Sequence, residues 1–187
     1  GTIVGMDFNL IPLALSQKRG LKLLVQADMC RLPFKENSFD GIITLDVLEH
    51  IPDDKKAIEE ITFTLKNGGI AMIAVPAFQQ LYCNHDMALN HKRRYNKKQL
   101  KTLIDRRKIE IEYCAYVNMI LFFPICIFRM TKKILNKKNE KVESDLFLFW
   151  KPIDRLLGNL FYFDTFLARY INYPVGTTLV NVIKKIS

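Results

Sequence analysis

Three acidic side chains stand where short apolar runs end. Asp7 follows Thr2 to Met6, Asp28 follows Leu21 to Gln26, and Asp46 follows Phe39 to Leu45. If these runs are parallel strands, their carboxyl ends share one edge of a sheet, which is where open α/β sheets bind ligands. A carboxylate at such an edge can accept both hydroxyls of a ribose. Asp7 has a plainer alternative, capping the helix that follows, and Asn9 is a rival for that cap.

Two further clusters carry titratable groups. In Asp46-Val47-Leu48-Glu49-His50 the spacing i, i+3, i+4 would put Asp46, Glu49 and His50 on one helical face. Such a face could hold a divalent cation, with His85 or His91 completing the shell. Helix capping and substrate contact are preferred here, so no metal is expected and these three remain only candidate ligands. The second cluster is His85-Asp86-Met-Ala-Leu-Asn-His91-Lys-Arg93-Arg94-Tyr95. His91 could act as a general base, because imidazole titrates near neutrality, and His50 is the second candidate. Arg93 and Arg94 could hold a carboxylate or phosphate on a substrate, with His85, Asp86 and Tyr95 shaping its pocket. A purely structural network that orders a lid is the competing role.

The elements that must position these groups alternate. Strands are expected over Thr2 to Met6, Leu21 to Gln26, Phe39 to Leu45, Ile70 to Val75, Ile109 to Tyr116 and Thr177 to Ile183. Helices are expected over Leu10 to Arg19, Asp53 to Leu65 and Lys97 to Arg107, with a turn at Asn67-Gly68-Gly69. The strands are apolar throughout rather than alternating, which implies helices on both faces of a parallel sheet. Residues 119 to 173 change character. Met119 to Phe128 is apolar and broken by Pro124, Lys132 to Ser144 is a lysine-rich loop or helix end, and Leu146 to Tyr173 is aromatic with a helical rhythm. The expectation is one α/β domain over 1 to 187, with 119 to 173 as a helical insertion before the last strand.

The chain has 187 residues, of which 49% are hydrophobic and 25% charged, so it can bury a core and is not a disordered tail. Cys30, Cys83, Cys114 and Cys126 form no CxxC pair and suit reduced thiols in a cytoplasmic protein. The net charge of +9 gathers at Lys92 to Arg94, Arg106 to Lys108 and Arg129 to Lys141. It suits anionic lipid, a phosphorylated substrate or nucleic acid, or simply a solvated lysine-rich face. Tyr113 to Phe128 is shorter than the roughly 18 residues of a membrane span, which leaves peripheral contact as the only membrane role weighed.

In order, Val4-Gly-Met-Asp7, Gln26-Ala-Asp28-Met-Cys-Arg-Leu-Pro-Phe34, Ser38-Phe-Asp-Gly-Ile-Ile-Thr-Leu-Asp-Val-Leu-Glu-His50 and Leu65-Lys-Asn-Gly-Gly-Ile-Ala-Met-Ile-Ala-Val-Pro76 resemble the class I S-adenosylmethionine-dependent methyltransferases. The resemblance implies a doubly wound, Rossmann-like, mostly parallel sheet and S-adenosylmethionine as cofactor. It implies that Asp7, with Phe8 beside it, binds the cofactor ribose. Asp28 then takes the adenine amino group with Met29 against the ring, and Leu45, Asp46 and Val47 line the methionine end. The family's first strand and glycine loop would lie before Gly1. Residues 1 to 187 alone are therefore expected to bind cofactor poorly and to lack stability. The segment His85 to Tyr95 is similar to one found in a bacterial group of these enzymes associated with cell-surface glycans.

The function expected is methyl transfer, by in-line displacement, to a small or lipid- or glycan-linked acceptor. Two rivals are weighed. An RNA methyltransferase would bind polynucleotide with steep salt dependence, but no RNA-binding module is visible, so nucleic acid is not the expected partner. A non-catalytic binding domain would keep the fold without the chemistry.

Overall fold

The computed structural model describes residues 1–135, 151–168 and 170–187. The chain opens with β1 (Val4–Asp7), α1 (Leu10–Lys18) and β2 (Leu23–Gln26). β1 and β2 pair in parallel, with Asp7 opposite Gln26. After a loop come β3 (Phe39–Leu45), a single 3₁₀ turn at Leu48–His50, α2 (Asp54–Thr64) and β4 (Leu65–Pro76). Then follow α3 (Asn84–Ala88), α4 (Lys97–Thr102), β5 (Ile109–Val117), α5 (Met119–Leu135), α6 (Lys151–Leu167) and β6 (Thr178–Lys185).

Two sheets result. One is β1-β2; the other runs β3-β4-β6-β5, with β3 parallel to β4 and β6 antiparallel to both its neighbours. The mixed α/β, Rossmann-like architecture matches the sequence expectation, and β6 supplies the antiparallel member. β1 and β3 face each other across a cleft and are not hydrogen-bonded to one another. Ile43 and Leu45 on β3, the edge strand facing the cleft, are exposed at 72% and 53%.

The core sits under the larger sheet. Ala71, Ile73 and Val75 of β4 pack with Ala57, Ile58 and Ile61 of α2, all fully or almost fully buried. Each large side chain buried this way contributes about 1.5–3 kcal/mol. Asp53 starts α2 by accepting the Lys56 N–H on its side chain at 2.9 Å.

Four expectations need adjusting. The turn at Asn67-Gly68-Gly69 lies within β4 as an irregularity: Phe39 faces Leu65, and the next pair is Gly41 with Ile70. Gly68 takes φ 79°, and a Cβ on Gly69 would lie 2.8 Å from the Lys66 carbonyl oxygen, so glycine is needed at both. α4 stops at Thr102 rather than Arg107. The Asp105 carboxylate accepts the Arg107 N–H at 3.1 Å, a local bond that competes with helix and turns the chain into β5. Pro124 does not break α5, whose helical backbone already has the φ that proline imposes. The loop expected over Lys132 to Ser144 begins as the last turn of α5, and its remainder, residues 136 to 144, lies outside the described residues, as does the start of the helical stretch expected from Leu146.

α5 and α6 pack on each other between β5 and β6 in sequence, where the insertion was expected. Among the described residues no helix is long and apolar enough to cross a membrane.

Candidate functional site

The cleft between β1 and β3 has a volume of about 1080 Å³. Asp7 and Asp28 stand in it at the ends of adjacent parallel strands. The same local clamp fixes both carboxylates: Asp7 Oδ1 accepts the Asn9 N–H and Asp28 Oδ1 accepts the Cys30 N–H, each at 2.8 Å. Met29 is buried beside them, while Phe8 is exposed on the rim. The wall from β3 ends at Asp46, whose backbone takes φ 50°. Aspartate tolerates this left-handed conformation better than most residues. The Asp46 N–H is held by the Ala74 carbonyl at 3.0 Å, and the reversal sends the chain into the Leu48–His50 turn.

That turn points Glu49 inward and His50 toward the cleft. Glu49 is fully buried, and neither carboxylate oxygen has a hydrogen-bond partner. Burial pushes its carboxyl up to about 7, with Asp46 and Asp86 adding to the rise against Glu49's own backbone and Arg94. His50 is held below the usual imidazole range by burial and then by His91 beside it. The His50 and His91 rings meet edge to face, 4.8 Å between centroids.

A lid over residues 77 to 96 closes on this turn. The Lys92 N–H donates to the Glu49 carbonyl at 2.8 Å, and Tyr95 and Phe78 join the lid to the end of β4. Its hub is Asp86, fully buried, which accepts Arg94 Nε at 2.7 Å, the Cys83 N–H at 3.0 Å and a bond at 3.0 Å from His91 Nδ1. Burial alone would raise the Asp86 carboxyl, but Arg94, His91 and Cys83 outweigh it and hold it below the usual carboxylate range. A second hub is Asp54, which binds Arg93 and the Tyr95 hydroxyl, each at 2.8 Å.

Residues 1–73 match the family model described as a methyltransferase domain. An uncharacterized protein of Methanocaldococcus jannaschii is 30% identical over 162 residues, 83% of this chain and 65% of its own length. A demethylmenaquinone methyltransferase of Staphylococcus carnosus is 33% identical over 92 residues, 44% of this chain and 38% of its own. The fold also superposes on an S-adenosylmethionine-dependent methyltransferase of Thermotoga maritima with a TM-score of 0.61 at 15% identity, covering 98% of this chain and 72% of that one. Residues 1–73 thus resemble a methyltransferase domain in sequence, and the fold of the chain is that of class I S-adenosylmethionine-dependent methyltransferases. It spans less than two thirds of the length of both sequence relatives.

All seven residues expected at the cofactor, Asp7, Phe8, Asp28, Met29, Leu45, Asp46 and Val47, line this cleft. His50 lines it too, whereas His91 stands one ring behind. The residues expected at the acceptor, His85, Asp86, Arg93, Arg94 and Tyr95, stand back from the lining of this cleft. Asp86, Arg94 and Tyr95 are 0%, 6% and 2% exposed; Arg94 donates to Asp86, and the Tyr95 hydroxyl donates to Asp54 below the lid. These bonds suit the structural network weighed in the sequence as the competing role. Arg93 is spent on Asp54 and the Pro52 carbonyl. His85 lies on α3, half-buried and engaged with neighbours. The cation-binding geometry also shifts: Glu49 and His50 converge with His91 rather than Asp46. Asp54 went unnoticed in the sequence, although two arginines and a tyrosine in a buried lid required an anion somewhere.

Proposed function

We propose that this chain, within its full-length protein, transfers a methyl group from S-adenosylmethionine to a small or lipid- or glycan-linked acceptor. The observation that carries this is the convergence of Asp7, Asp28 and the 45–47 segment on one cleft, with His50 in the same lining. The fit is chemical. Two clamped carboxylates can accept ribose hydroxyls (Asp7) and an adenine amino group (Asp28), while Met29 and Phe8 offer apolar surface to the base. Leu45, Asp46 and Val47 would hold the methionine end.

When bound, S-adenosylmethionine supplies a methyl group on a positively charged sulfur. The chain's own part is alignment and proton handling. His50, kept neutral by burial and by His91, can accept the proton of an attacking hydroxyl or amine. The Asp86 carboxylate, through His91, fixes the orientation of the ring packed against His50. Leu89 and Asn90 of the lid stand at the edge of the cleft.

The gap between β1 and β3 belongs to the same proposal. A further strand of the full-length protein would fill it, pairing with both edges and covering Ile43 and Leu45. The exposed Phe123 and Ile127 of α5, with Phe161, Tyr162 and Phe163 of α6, would suit a greasy acceptor or contact with a membrane surface.

Methyl-labelled S-adenosylmethionine incubated with the full-length protein and small, lipid-linked or glycan-linked acceptors tests the reading. Label should enter one acceptor class and be lost with Asp28→Ala. Label in none of them would contradict it.

A further inference from the structure

We propose that Glu49, His50 and His91 form a binding site for a divalent transition-metal cation, opening onto the cleft beside His50. The three offer ligand atoms that all lie within 4.8 Å of one another. Glu49 Oε1 and His91 Nε2 are 3.8 Å apart. Metal bonds of about 2.0–2.2 Å place tetrahedral ligand atoms roughly 3.4 Å apart, so the Glu49–His91 pair needs to close by about 0.4 Å and the widest pair by no more than about 1.4 Å.

Glu49 is the decisive residue. It is fully buried, yet both carboxylate oxygens lack a hydrogen-bond partner. A buried carboxylate in that state is costly unless it takes a proton or meets a cation. The side chains converging on it are two imidazoles. A carboxylate needing only a structural partner would be served by Arg94, but that guanidinium is turned to Asp86 and to the Ala77 carbonyl.

His91 is prepared for the role from its other side. Its Nδ1 bonds Asp86 Oδ1 at 3.0 Å, which leaves Nε2 facing Glu49. A carboxylate behind a histidine is the usual outer partner of a metal-bound imidazole: it fixes the tautomer and makes the ligand more basic. Asp86 is itself anchored by Arg94 and Cys83, so the ring is held before any ion arrives. His50 presents a ring to the same point and to the cleft.

Two imidazoles and one carboxylate suit manganese, iron or zinc better than magnesium or calcium, which prefer all-oxygen shells. Three protein ligands leave positions open, as in sites that bind a reacting group. With the ion bound, His50 serves as a ligand rather than as the base, and an acceptor hydroxyl taken up there would lose its proton more readily.

The test is binding rather than turnover. Full-length protein, stripped with a chelator and dialysed, is titrated calorimetrically with Mn²⁺ alone, which thiols do not compete for. One equivalent should bind saturably, and pulsed electron paramagnetic resonance should show coupling to histidine nitrogen. Glu49→Gln keeps shape and hydrogen-bonding capacity, and it should bind Mn²⁺ at least about tenfold more weakly. His91→Gln should do the same and lose one nitrogen coupling. Circular dichroism and S-adenosylmethionine affinity, measured on the same samples, show whether each variant is folded and whether the cofactor cleft is intact. The metal site and the methyltransferase reading can then fail separately. Absence of saturable Mn²⁺ binding, or equal affinity in wild type and folded Glu49→Gln, overturns the proposal.

Discussion

At the scale of single residues, Glu49 dominates the electrostatics of the lid. Its carboxyl sits near 7 in the fold, above its ordinary 4.5, because burial, and then the neighbouring Asp46 and Asp86, outweigh Arg94. The folded chain therefore holds a proton that the unfolded chain releases. For metal-free protein this stabilises fully below about pH 4.5 and is lost as pH rises through about 7, an effect on the order of 3 kcal/mol. Glu49→Gln should remove this pH dependence and raise stability above pH 7. Urea titrations at pH 5 and pH 8 measure it, and an unchanged difference between the two pH values would contradict the assignment. Asp86 behaves oppositely, because its charge is matched. Asp86→Asn leaves Arg94 buried without its counter-ion and should destabilise by about 3–5 kcal/mol. A loss under 1 kcal/mol by the same titration would remove Asp86 as the hub. Asp7, Asp28 and Asp46 were legible in sequence because strand ends fix where their side chains must go. The Arg93-Arg94-Tyr95 cluster was not, because sequence shows charge without showing whether a buried acid elsewhere already claims it.

At the scale of elements, the strand boundaries followed from apolar runs and were read to within a few residues. β3 was read over the same seven residues, Phe39–Leu45. The misreadings fell where a local bond or a tertiary constraint overrode pattern: the glycines absorbed into β4, the Asp105 turn ending α4, and Pro124 carried inside α5. The pairing of β1 with β2, apart from β3, has a consequence for stability. Two strand edges and the exposed Ile43 and Leu45 face the same cleft. A longer chain that supplies the proposed strand should melt higher than residues 1–187, by about 2–4 °C for each kcal/mol gained. It should also protect β1 and β3 amides from hydrogen exchange. Equal melting temperatures and equal exchange would mean that no strand belongs there.

At the scale of the whole molecule, the architecture, the cleft and its acids form one consistent arrangement. The sheet places strand ends together, the reversal at Asp46 delivers His50 to the cleft, and the lid fixes His91 behind it. The fold was legible from four sequence segments; the lid's internal wiring needed coordinates. The central claim is that the cleft binds S-adenosylmethionine through Asp7 and Asp28. Calorimetric titration of the full-length protein with S-adenosylmethionine tests it most directly. Wild type should bind with one-to-one stoichiometry. Asp7→Ala and Asp28→Ala, each losing charge-assisted hydrogen bonds of about 1.5–3 kcal/mol, should bind roughly 10–100-fold more weakly while remaining folded. No binding by wild type, or unchanged affinity in both folded variants, would contradict the account.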